Sequence, residues 1–141
     1  MPLFLKSKKI GVQSFILRLV NSHCPELQAL AEGPRLEGRA NLMVVVMVIP
    51  VENGKPLPQQ AFTALTKEFS TTGVAIVLDD PLGLDQVILG FRGESEMVFV
   101  RATARHLNPM GGGFYQLGLQ MSEVIHVSDY PELRSIVIEG G

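Results

Sequence analysis

Between Leu42 and Met121 the chain offers six short segments of apolar or alternating character, and none of the intervals between them carries a helical repeat. Leu42–Ile49 is a continuous run of Leu, Met, Val and Ile, the pattern of a strand covered on both faces. Ala61–Lys67, Val74–Leu78 and Gln86–Arg92 follow, separated by Asn53-Gly54 with Pro56 and Pro58, by a Ser/Thr/Gly stretch, and by Asp79-Asp80-Pro81. In Met97–Arg105, Val98, Val100, Ala102 and Ala104 share one face while Arg101, Thr103 and Arg105 share the other. Pro109 and Gly111-Gly112-Gly113 then mark a turn, and Tyr115, Leu117, Leu119 and Met121 alternate with Gln116, Gly118 and Gln120. Strands at hairpin spacing with no helix between them predict a mostly β chain, a six-stranded antiparallel barrel.

The flanks read differently. Val12, Phe15, Ile16 and Leu19 recur at one helical face, predicting an amphipathic helix over residues 9–21 that lays this face on a core or on a partner. Pro25 opens a second helical turn to about Ala31, stopped by Glu32-Gly33-Pro34. Pro131–Val137 is expected to be a short closing helix. The expected division is residues 1–32 as an N-terminal helical extension and 33–141 as the barrel domain. Lys6, Lys8 and Lys9 precede the fairly apolar stretch Ile10–Val20, but Gln13, Ser14 and Arg18 interrupt it where a signal peptide requires an unbroken run.

Composition narrows the function classes. With 46% apolar and 18% charged residues the chain can bury an ordinary core. A net charge of −2 argues against a broad nucleic-acid footprint, so an anionic ligand needs a local basic cluster. The longest apolar run, Leu42–Val51, is about half a membrane span and is broken by Pro50, so no membrane insertion is expected. A single cysteine, Cys24, excludes an internal disulfide, and the expected compartment is the cytoplasm.

Signatures of catalysis are missing. His23, His106 and His126 are far apart without metal-ligand spacing, and His23-Cys24 are neighbours that point apart on a strand. The triple glycine lacks a following Lys-Ser/Thr and precedes a strand, so a hairpin turn with positive φ explains it better than a phosphate loop. Asp79-Asp80 beside Pro81 reads as turn chemistry. No catalytic residue, metal or cofactor is assigned, and the chain is not expected to be an enzyme.

Two short motifs carry more when taken together. Arg35-Leu36-Glu37-Gly38-Arg39 holds two guanidiniums on one side just before the first long strand. Guanidinium offers paired donors to phosphate oxygens and a flat face for a base. Alone, the pair also reads as a solvated strand entrance. The second motif is Glu68-Phe69-Ser70-Thr71-Thr72-Gly73, where Glu68 and Ser70 fall on one side of an extended chain and Gly73 permits a tight turn or a close backbone approach. Alone, it is an ordinary turn whose hydroxyls satisfy its own amides.

In that order and spacing, and in a β context, the two motifs resemble the PilZ domain family, bacterial receptors for cyclic di-GMP. Arg35 and Arg39 match the family's Arg-xxx-Arg. Ser70 and Gly73 match its Asp/Asn-x-Ser-x-x-Gly turn, with Glu68 in place of Asp/Asn. Tyr115-Gln116-Leu117-Gly118-Leu119-Gln120-Met121 looks like the family's closing strand, and the resemblance covers Arg35 to Met121. It implies a PilZ-like barrel in which Arg35 and Arg39 contact the phosphates and guanine of cyclic di-GMP. Glu68 and Ser70 would bond a guanine edge beside Gly73, and a protein partner would receive the signal. Glu68 departs from the pattern: it is an acceptor, but one methylene longer and with more rotamer freedom to lose. The alternative is a PilZ-like interaction module that binds protein without nucleotide.

Overall fold

The computed structural model describes Val12, residues 43–92 and residues 97–133. Seven antiparallel strands form one sheet: β1 (Val45–Glu52), β2 (Lys55–Pro56), β3 (Phe62–Phe69), β4 (Gly73–Leu78), β5 (Gln86–Arg92), β6 (Met97–Gly111) and β7 (Phe114–Ile125). They lie in the order β2-β1-β3-β4-β7-β6-β5, and β5 returns to pair with β1 along Val46–Val51. That pairing closes six strands into a barrel, with β2 as an additional short strand on β1. The expected six-stranded antiparallel barrel is the observed one.

Local chemistry explains the tight connections. Asn53 and Gly54 both have positive φ, 54° and 77°, which twists a two-residue turn the way the flanking strands twist. Residues read from sequence as a loop therefore form a hairpin, with Glu52 opposite Lys55. Gly111, Gly112 and Gly113 all have positive φ, as the hairpin reading required, and Gly111 pairs with Phe114 across the turn.

Alternation sets the core. Val46, Val48, Phe69, Ile76, Leu89, Val100 and Leu119 point inward and are fully or almost fully buried. The rings of Phe69 and Phe91 pack at 6.1 Å, tilted by 48°. Val12 lies in a helix and is fully buried in the same core. The rest of the expected 9–21 helix, the turn near 25–31 and the Arg35–Arg39 segment fall outside the described residues. On the outer face Ile49, Ile88, Phe99 and Ile125 form a second cluster, and Leu133 closes over it. The 1–32 and 33–141 division remains an expectation.

Several boundaries differ from the reading of the sequence. β1 runs through Pro50 to Glu52 and does not stop at Ile49. The Pro50 carbonyl accepts from Leu57 N–H at 2.9 Å. In a strand, the amide and carbonyl of one residue face the same side, so the donor that proline lacks is missing from that side and the ladder to β5 stays intact. Strand β3 continues past Lys67 to Phe69, and β6 and β7 extend beyond the expected Arg105 and Met121. Of the expected closing helix, Pro131–Leu133 is a 3-10 turn, and residues 134–137 lie outside the described residues.

Candidate functional site

The second motif is divided between two strands and their connection. Glu68 and Phe69 are still paired in β3, opposite Ala75 and Val74, so the turn proper is Ser70–Thr72 and Gly73 opens β4. Two hydrogen bonds close the turn: Ser70 N–H donates to the Gly73 carbonyl at 3.0 Å, and Gly73 N–H donates to Ser70 Oγ at 3.2 Å. Gly73 has no left-handed φ. What demands glycine is space, because a Cβ there would lie 2.8 Å from Ser70 Oγ and 3.4 Å from the Leu119 carbonyl. The turn is also fastened to β7. Met121 N–H donates to the Thr72 carbonyl at 2.8 Å, and the Gln120 side-chain amide donates to Thr72 Oγ1.

Glu68, Ser70 and Gly73 line a single open cleft of about 360 Å³ on the outer face of β3, β4, β7 and β6. Register explains its shape. Glu68 lies opposite Ala75, Ala75 opposite Gly118, and Gly118 opposite His106, so one row crosses four strands. The two middle positions carry at most a methyl group, which leaves a low floor between taller rims. A Cβ on Gly118 would find its nearest neighbour, the His106 carbonyl, at 3.9 Å, so that floor is open space and not a tight contact. The row spans three strand spacings, roughly 14 Å. Gln120 lies opposite Gly73 in the next row, and Gln116 lies opposite Asn108 on the other side. Lys67 Nζ donates to Gln116 Oε1 at 2.9 Å and holds that amide against the β3 rim.

The structure thus brings together three of the five residues singled out in the sequence. Arg35 and Arg39 lie outside the described residues. It adds Arg105, His106, Asn108, Gln116 and Gln120, which the motifs did not mark. Part of that signal was legible: the alternation of β7 already set Gln116, Gly118 and Gln120 on the face opposite the core. In β6, Arg105 was likewise legible on the face opposite Ala104, whereas His106 and Asn108 were not, because the strand was expected to end at Arg105. Acceptors and donors converge here on a flat floor, an arrangement suited to a planar, polar, anionic ligand. Among the described residues no group of three or more His, Cys, Asp or Glu side chains is placed to hold a metal ion. No described helix is long and apolar enough to cross a membrane.

No family model matches the chain, and no curated protein sequence matches it. Among solved structures it is similar to the inhibitor of motility (MotI/DgrA) of Bacillus subtilis, at a TM-score of 0.49 and 21% identity over 75% of this chain. The match covers 50% of that protein, so the chain spans half the length of the structure it matches.

Proposed function

We propose that the chain is a PilZ-like receptor module that binds cyclic di-GMP in the outer cleft and relays binding to a protein partner without catalysis. One observation carries this reading: Glu68, Ser70 and Gly73, singled out by the spacing of a motif, line one open cleft with a flat floor. Guanine presents amide and amine donors on one edge and acceptors on another. The Glu68 carboxylate suits the donor edge. Ser70 Oγ accepts from Gly73 N–H, which leaves the hydroxyl proton to donate outward to a guanine acceptor. Arg35 and Arg39 are assigned to the phosphates and the guanine face by the resemblance. A bacterial second messenger of this kind places the module in the cytoplasm.

Calorimetric titration with cyclic di-GMP tests the proposal. Arg35→Ala and Arg39→Ala are each expected to weaken binding about ten- to a hundred-fold, the loss of one charge-assisted hydrogen bond, with unchanged melting curves. Glu68→Asp is expected to tighten binding, and Glu68→Gln to weaken it less than Glu68→Ala, because Gln keeps a carbonyl acceptor. Full affinity in both arginine variants refutes the site.

A second reading, an interaction module that binds no nucleotide, is favoured by an apolar strip on β1 and β3. Val45 and Leu65 are register partners there, 62% and 43% exposed, and Met43 beside them is 68% exposed. A folded protein that gives no heat with cyclic di-GMP decides for this reading.

A further inference from the structure

The cleft is flanked by two β-bulges. In β3 the register moves from Thr66↔Ile76 to Glu68↔Ala75, so Lys67 is an extra residue. In β6 it moves from Ala104↔Leu119 to His106↔Gly118, so Arg105 is an extra residue. A regular strand sends Arg105 and His106 to opposite faces; an inserted residue lets two consecutive side chains fall on one side. Both line the cleft, at the opposite end of the Glu68–Ala75–Gly118–His106 row from the turn. Among the described residues, the side chains of Arg105 and His106 make no hydrogen bond or ion pair, and both residues are exposed. The motif turn, by contrast, is bonded into β4 and β7.

We propose that Arg105, with His106 brought beside it by the β6 bulge, forms a second rim that binds a phosphate of the nucleotide whose guanine is held at the Glu68–Ser70 rim. This rests on the cyclic di-GMP reading of the same cleft. The two rims differ in chemistry as the two ends of a nucleotide do. Glu68 and Ser70 face base donors and acceptors, and the guanidinium offers a paired-donor fork to phosphate oxygens. Three strand spacings, roughly 14 Å between backbones, lie between them, a span suited to a ligand with a base at one end and a phosphate at the other, as in a dinucleotide. Arg105 is a cation that the two sequence motifs do not contain, and the bulge keeps His106 on its side, where alternation alone would turn His106 inward.

The test is a double-mutant cycle on cyclic di-GMP affinity by calorimetry, with Ser70→Ala at one rim and Arg105→Ala at the other. Arg105→Ala is expected to weaken binding about ten- to a hundred-fold without moving the melting curve, and Arg105→Lys by less, since charge is kept and the fork is lost. The two fold-losses are expected to multiply in the double variant, because sites this far apart act independently. Wild-type affinity in Arg105→Ala alongside a loss in Ser70→Ala overturns the second rim and leaves the nucleotide reading standing. Losses that fail to multiply overturn it as well, since Arg105 would then act through the turn. Absence of binding by the unmutated protein overturns both.

Discussion

Gly73→Ala isolates the steric lock of the motif turn. The new Cβ would lie 2.8 Å from Ser70 Oγ, closer than real Cβ atoms come to any neighbour, whereas the Leu119 carbonyl at 3.4 Å is close to ordinary contact. The cheapest relief is rotation of Ser70 about χ1, which breaks the Gly73 N–H to Ser70 Oγ bond of 3.2 Å. Loss of a neutral hydrogen bond costs about 0.5–1.5 kcal/mol. Because Gly73 has no left-handed φ, alanine is otherwise compatible with its backbone and returns about 0.4–1 kcal/mol by reducing the freedom of the unfolded chain. The net effect on stability is therefore small. The informative quantity is the coupling to Ser70. In a Ser70→Ala background the clash and the bond are both already gone, so Gly73→Ala is expected to stabilise by about 0.4–1 kcal/mol. The two backgrounds should differ by about 1 kcal/mol, the value of one hydrogen bond. The chain has no tryptophan, so urea unfolding followed by far-ultraviolet circular dichroism is the suitable assay. Equal effects of Gly73→Ala in both backgrounds would refute the steric lock as the reason for glycine.

Four further outcomes follow from the same geometry. Thr66 is fully buried and its Oγ1 accepts from Val44 N–H at 2.9 Å, so Thr66→Val, which keeps the shape and removes the acceptor, is expected to cost about 1–3 kcal/mol in urea unfolding. Leu133 seals the outer apolar cluster at zero exposure, so Leu133→Ala is expected to cost about 2–5 kcal/mol; a cost near zero would mean that this segment is not part of the cooperative unit. Tyr130→Phe removes the hydroxyl that accepts from Arg101 and keeps the ring under its guanidinium, 5.7 Å away, so it is expected to be milder than Leu133→Ala in the same assay. Gly118→Leu is expected to leave the fold intact, because the space above Gly118 is open, yet to abolish cyclic di-GMP binding by filling the floor.

What could be read from sequence was local. Val98, Val100, Ala102 and Ala104 show their common face in any window of eight residues, and Gly111-Gly112-Gly113 announces a turn with positive φ on its own. Two-residue alternation and turn chemistry depend on the backbone of the residues concerned, so strand number, core face and the hairpin were legible before any contact was known. Glu68, Ser70 and Gly73 could be singled out for the same reason, as a spacing in one segment, while the assignment of Arg35 and Arg39 remains a proposal outside the described residues.

Tertiary structure decided the rest, because it depends on partners distant in sequence. Closure of β1 on β5 makes Pro50 harmless, since the bond its nitrogen cannot make is missing on the side away from that ladder. The outer cluster under Leu133 explains why Met47 and Ile49, as well as Val46 and Val48, are apolar in β1. Above all, the two bulges follow from how β3 and β6 fit against β4 and β7. Only that fit sets Glu68, Ala75, Gly118 and His106 in one row and keeps His106 beside Arg105 on the cleft side. A bulge shifts every later side chain by one position, and a single strand's alternation carries no mark of where its partner will demand one.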